Sequence, residues 1–259
     1  MRARLLCRLT TNLAVLLVTF AMLFAVLVVP GEPDRPEDAP VSVASDSGTG
    51  GGYGSGSLGR WQQQGHAISS VEQIRQVRRD DGIFMFGDSI SVQDGKSLAQ
   101  LLASTTGDTL ATHNWSGQPT TPAVDALETW ARDFGLPRRL LISHGSNDIF
   151  DPSGFAAQID RVMRIAGPDR TVFWVNVQVA RSKQPAAVRV ADQRNCQWIN
   201  LQLAAAQRRY PNLRVIPWAE FLASGPERLG THLRDGVHTS IPVGQQARNT
   251  LIVDAIRAG

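Results

Sequence analysis

The 259-residue sequence predicts an α/β fold in which about five parallel strands form a sheet covered by helices on both faces. Three observations carry this. Short, wholly apolar runs recur between Ile83 and Ile216, segments of helical periodicity separate them, and Gly, Pro or Asn punctuates the changes. Apolar runs without alternation belong to strands buried on both faces, and strands that alternate with helices pair in parallel.

The chain does not begin with that fold. No charged residue occurs in the 23 positions from Leu9 to Gly31, and Leu13–Val29 is apolar apart from Thr19. At about 1.5 Å per residue such a stretch matches the ~30 Å hydrocarbon thickness. Arg2, Arg4 and Arg8 precede it and Glu32 and Asp34 follow, so the positive-inside rule puts the C-terminal bulk outside the cytoplasm. Val-Val-Pro-Gly at 28–31 lacks a small-residue cleavage pattern, which favours an uncleaved anchor over a signal peptide that would leave the protein secreted. Residues 1–30 therefore read as a membrane anchor. Residues 31–59, with eight Gly, five Ser and three Pro, read as a flexible linker. Residues 60–259 are left as the folded domain.

Within the domain, Ser69-x-x-Glu72 reads as a capping box opening a helix with Ile68, Val71, Ile74 and Val77 on one stripe. Strands follow at Ile83–Phe86, Thr109–His113, Leu140–Ser143, Thr171–Val177 and Leu213–Ile216. Helices are expected at Ser97–Ala103, from a Thr121 cap and Pro122 through about Asp133, and at Gly154–Ile165, Val188–Arg209 and Val243–Arg257.

Composition removes several function classes. The formal charge of +3 and the absence of any basic run longer than two residues argue against nucleic acid as a partner. Cys7 lies before the apolar span and Cys196 after it, so no disulfide framework is expected. Gly54-Ser-Gly56-Ser-Leu-Gly59 has dinucleotide-loop spacing but no strand before it, and Asp94-Gly95-Lys96-Ser97 lacks the first phosphate-loop glycine, which is Ile90.

Ligands of parallel α/β sheets sit beyond the carboxyl ends of the strands. There the chain carries Gly87-Asp88-Ser89, Asn114-Trp115-Ser116-Gly117 and His144-Gly145-Ser146-Asn147-Asp148, with Asp235-Gly236-Val237-His238 before the last helix. These residue types suit acyl transfer. A serine hydroxyl needs a base, histidine serves near neutrality, and a carboxylate three residues away can fix its tautomer. Gly117 offers a bare backbone N–H and Asn147 a side-chain amide to a developing oxyanion.

In these four blocks the sequence resembles the SGNH (GDSL-like) hydrolases over roughly residues 82–258. Each motif is weak alone, but the four occur in order and each at an expected element end. The first block reads Gly-Asp-Ser-Ile where Gly-Asp-Ser-Leu is commoner. The resemblance implies a three-layer, flavodoxin-like fold, Ser89 as nucleophile, His238 as base, Asp235 as its orienter, and the Ser89 N–H, Gly117 and Asn147 as oxyanion donors. No cofactor and no metal are expected, since no Cys pair or His-Glu-x-x-His pattern supplies a ligand set. An acyl-ester substrate in the cell envelope is expected, on polysaccharide, peptidoglycan or lipid. The stretch Val175-Asn176-Val177, with Trp218-Ala219 and the Asp-Gly-Val-His block, also resembles the extracellular SGNH domains of envelope acyltransferases. O-acyl transfer to a glycan with the same residues, and a non-catalytic glycan-binding domain, are the alternatives.

Other residues in the blocks have blander readings. Asp88 is expected to hold its loop, Asp148 to serve as a turn residue, and His113 and His144 to pack or hydrogen-bond at strand ends. His232 with Asp235 and His238 mimics a metal site that would compete with serine for one imidazole. Asn114-Trp-Ser is a formal glycosylation sequon, and Trp115 suits a sugar platform or the core equally.

Overall fold

The computed structural model describes residues 52–259, so the anchor expected over 1–30 and most of the linker over 31–59 lie outside the described residues. Six strands form one sheet: β1 (His66–Ile68), β2 (Ile83–Gly87), β3 (Leu110–Trp115), β4 (Arg139–Ser143), β5 (Thr171–Val175) and β6 (Leu213–Ile216). Their spatial order is β1-β3-β2-β4-β5-β6. All neighbours are parallel except β1, which runs antiparallel to β3 at the edge. Without that edge strand the parallel strands stand in the doubly wound order 2-1-3-4-5.

Alternate residues of each central strand feed two cores. Phe84, Phe86, Leu140, Ile142, Val172 and Trp174 face one side. They meet the helices α1 (Val71–Arg79), α3 (Thr120–Phe134), α4 (Phe155–Ala166) and α5 (Ala186–Arg209). Ile83, Met85, Leu141, Phe173 and Val175 face the other, against α2 (Ser89–Thr105), the short helix α6 (Trp218–Ala223) and α8 (Val243–Ala258). A further short helix, α7 (Arg228–His232), precedes the last motif. Burial on both faces is why β2 carries five apolar or Gly residues without alternation. Among the described residues no helix is long and apolar enough to cross a membrane.

The structure corrects several expectations. The sheet has a sixth, antiparallel strand, β1, whose two exposed residues and three-residue length leave no periodic signal. Helix α1 is capped by Ser70, whose Oγ accepts from the Gln73 N–H, while Ser69 pairs with Thr112 of β3. Ile68 and Val71 are exposed, so only Ile74 and Val77 of the expected stripe reach the core. Helix α2 starts at Ser89, eight residues before Ser97, because Asp88 caps it through the Ile90 N–H. Thr121 does not cap α3. Its first turn is capped from afar by Asp148, which accepts from the N–H and Oγ1 of Thr120. Finally, Tyr53 and Ser55, read as flexible linker, are hydrogen-bonded to α5, and Ser55 is buried.

Candidate active site

The site begins at the junction of β2 and α2. Central β2 ends at Gly87, the buried Asp88 turns the chain, and Ser89 opens the helix at its positive end. Burial pushes the Asp88 carboxyl up; the neighbouring Arg248 guanidinium and the Ile90 N–H oppose that. The second partner comes from the segment between α7 and α8. His238 Nε2 lies 2.9 Å from Ser89 Oγ, and His238 Nδ1 lies 2.8 Å from Asp235 Oδ2. The other oxygen of Asp235 accepts from the N–H groups of Val237 and His238, at 3.0 and 2.8 Å. Partial burial raises the Asp235 carboxyl, but these hydrogen bonds and the imidazole outweigh it and hold the group below its ordinary range. An ionised Asp235 keeps the imidazole proton on Nδ1, which leaves Nε2 to accept from the serine hydroxyl.

What holds this segment in place is not in the four blocks. Thr239, next to His238 and fully buried, donates from Oγ1 to Asp94 at 2.9 Å and accepts from Gln93 Nε2 at 2.6 Å. Both partners lie on α2, one turn beyond Ser89. Sequence reasoning missed Asp94, yet a signal was present. Ile90, Asp94, Leu98 and Leu102 recur every four residues, and an acid in an apolar stripe needs a buried partner. The fully buried Arg248 of α8 faces the same acid, with Nη1 3.8 Å from Asp94 Oδ2, and its Nη2 donates to Ser143 Oγ at 2.5 Å.

The Asp235 segment is also pinned from the side. Ala180 N–H donates to the Gly236 carbonyl and Ser182 N–H to the Asp235 carbonyl, both at 2.9 Å, so the two segments together form one wall of the site. Gly236 has φ +84°, and a Cβ there would sit 2.0 Å from the Ala180 carbonyl oxygen, so no other residue fits. Val179, Arg181, Asp235 and Val237 line a cleft of about 260 Å³ with Ser89 and His238, Ala180, Arg234 and Gly236 line a groove of about 600 Å³, and Ser182 borders both. The larger cavity is thus behind the acid, not over the serine.

The expected oxyanion donors fall differently. Asn147 lines the cleft with Ser89. Its Nδ2 donates to the Gln118 carbonyl at 3.1 Å, which uses one of two amide hydrogens and ties it to the turn carrying Gly117. Gly117 does not line that cleft. It follows β3, whose Asn114 pairs with Gly87, and a Cβ there would meet Trp61 Cβ at 3.1 Å. Asp148, expected only to turn the chain, is the cap of α3 described above, and burial pushes its carboxyl up to about 6.

The remaining candidates pack. His113 stacks on Phe86, and its burial lowers its pKa. His144 is fully enclosed, and burial, with His113 nearby, drives its pKa down to about 3 against the opposing pull of the Gln118 backbone. Asn114 is fully buried and donates to the Ser91 carbonyl, so the sequon cannot carry a glycan. Trp115 packs edge-on against Trp61 and against His66. His232 turns Nδ1 to the Arg228 carbonyl and packs on Phe221.

No protein-family model and no curated protein matches this chain. Solved structures do. The C-terminal catalytic domain of Streptococcus pneumoniae peptidoglycan O-acetyltransferase A matches with TM-score 0.53 and 16% identity, over 69% of this chain and 91% of that one. The fold is that of the SGNH hydrolases. A GDSL-like lipase from Bacteroides thetaiotaomicron matches the SGNH-like region with TM-score 0.53 and 15% identity, over 74% and 92% of the two chains. A member of the lipolytic G-D-S-L family from Veillonella parvula gives 0.54 and 18%, over 68% and 96%.

Proposed function

We propose that this SGNH-like chain is a serine esterase that cleaves acyl esters through an acyl-enzyme. The observation that carries the proposal is the hydrogen-bonded line Ser89–His238–Asp235 opening on one cleft. In this reading Ser89 Oγ attacks the acyl carbonyl while its proton passes to His238 Nε2, and Asp235 stabilises the imidazolium. The negative charge on the former carbonyl oxygen is received by the Ser89 N–H at the head of α2 and the Asn147 amide, which border the cleft; Gly117, expected as a third donor, stays outside its lining and holds the turn to which Asn147 is tied. His238 returns the proton to the departing alcohol. Water, activated by the same imidazole, then releases the acid and restores Ser89.

A second acceptor has support of its own. The likeness to a peptidoglycan O-acetyltransferase domain, with the expected export of the domain beyond residues 1–30, favours envelope glycan esters as substrates. It also keeps transfer to a sugar hydroxyl as the alternative to hydrolysis. The two share every residue named and differ only in what attacks the acyl-enzyme.

The test is a fluorophosphonate probe on the full chain, with ester turnover measured with and without added glycan. Labelling at Ser89, and loss of both labelling and turnover in Ser89→Ala, are expected. Unchanged turnover in Ser89→Ala removes the acyl-enzyme. Transfer product in the glycan arm decides for the alternative.

A further inference from the structure

The cleft contains one cation whose geometry the esterase reading does not use. Arg181 lines it beside Ser89, with its guanidinium 4.9 Å over the Phe150 ring. Nε donates to Asp192 Oδ2 at 2.8 Å, and Nη2 donates to Asp192 Oδ1 at 2.7 Å and to the Ser55 carbonyl at 2.5 Å. Asp192 is fully buried, so the bidentate pair is rigid and its charge is balanced. Nη1 makes no hydrogen bond among the described residues.

The brace on this arginine comes from outside the expected domain. Tyr53 and Ser55 lie against α5. The Tyr53 carbonyl accepts from Arg194 Nη2 at 2.6 Å and Asn195 Nδ2 at 3.1 Å, and the buried Ser55 Oγ accepts from Asn195 at 3.0 Å. Asn195 also donates to the Ile149 carbonyl at 2.8 Å, two residues beyond Asn147. The segment therefore bonds both the arginine and the loop that carries the expected oxyanion donor.

Resting on the serine-esterase reading, we propose that Arg181 recognises the alcohol portion of the ester and that the docked Tyr53–Ser55 segment positions it. Asp192 and Ser55 hold two guanidinium nitrogens, and Nη1 is left to donate to an oxygen beside the scissile bond. Because Asp192 already neutralises the cation, the site selects an uncharged acceptor: a hydroxyl, ring or amide oxygen of a sugar. Phe150 and the guanidinium plane offer a flat wall for such a ring. Exposed Lys183 on the same rim makes no side-chain hydrogen bond or ion pair among the described residues and supplies no such geometry.

The experiment compares two acetyl esters on the full chain, p-nitrophenyl acetate and an O-acetylated N-acetylhexosamine. Removing the charge at 181 would strand buried Asp192, so Arg181→Lys is the variant, keeping the charge and losing Nη1. It should raise KM for the sugar ester about tenfold, as expected for one lost hydrogen bond, with kcat nearly unchanged and p-nitrophenyl acetate unaffected. Gly54→Val attacks the brace alone. Gly54 has φ +78°, and its Cβ would meet Ala191 Cβ at 3.0 Å, so the segment is displaced. Gly54→Ala serves if the valine form is not recovered. The same KM effect is expected, and the Gly54→Val, Arg181→Lys double variant should be no worse than Arg181→Lys. Equal losses on both esters, or wild-type KM for the sugar ester in either variant, overturn the proposal while leaving the esterase intact. A wild-type protein that turns over neither ester and resists the fluorophosphonate removes the esterase reading and this inference together.

Discussion

Thr239→Val tests how the base is held over the serine. The swap keeps shape and removes the hydroxyl that donates to Asp94 and accepts from Gln93. Asp94 keeps Gln93 and Gln245 as donors at 3.0 and 3.2 Å, so it loses one of three side-chain hydroxyl or amide partners and not all of them. A hydrogen bond to a charged group contributes about 1.5–3 kcal/mol. In a domain of this size each kcal/mol moves Tm by about 2–4 °C, so a fall of roughly 3–12 °C is expected by calorimetry. The functional loss should exceed what that stability change causes at 25 °C, where the variant stays folded. His238 is the next residue, and a shift near 1 Å at a reacting group costs about 100-fold, which sets the expected upper range of the fall in kcat. Asp94→Asn should lose at least as much, since it also takes the carboxylate from buried Arg248, and adding Thr239→Val to it should cost little more. A wild-type kcat with a lowered Tm would show that Thr239 serves the fold alone. Unchanged values of both would remove the Asp94–Thr239 tie altogether.

Other expectations follow from the same geometry. Asn147→Ala should lower kcat about 10²–10³-fold with little change in KM, and Asn147→Asp should be no better; wild-type kcat in Asn147→Ala would leave its amide only the Gln118 tie. His144, neutral in its enclosure with a pKa of about 3, stabilises the fold above 6.5 and loses that contribution as pH falls toward 3. The loss at pH 5 is about 2 kcal/mol, and urea midpoints of His144→Leu should fall less steeply with acid than those of the wild type. Full-length protein should sediment with membranes, and protease added outside intact cells should digest the domain. A domain spared until lysis would reverse the orientation inferred from Arg2, Arg4 and Arg8.

How much of this was legible depended on what each residue faces. Ile83–Phe86 and Leu213–Ile216 announce themselves because a strand buried on both faces has no use for polar side chains. The start of α2 was hidden for the opposite reason. Asp88, Ser89, Ser91, Gln93 and Asp94 serve the site and its supports, so the first turns read as loop although the backbone is helical. Three of the blocks were visible because strand ends are short in sequence as well as in space, and the fourth because its acid and base lie three residues apart. The ties among them were not: Thr239 meets Asp94 across 145 residues, Asp148 caps a helix that starts 28 residues earlier, and Ser55 meets Arg181 across 126. Local spacing cannot report such contacts.

The tie between Thr239 and α2 has a consequence for heat. Ser89 opens that helix, and Gln93 and Asp94 on its next turn grip the neighbour of His238, so nucleophile and base ride on one body. Sheet breathing or loosening of the outer helices changes the walls of the cleft without stretching the 2.9 Å contact between them. Inactivation on warming should then coincide with melting of the core, in place of a gradual decline below it. Variants that soften the cleft walls should broaden substrate choice before they lower the rate.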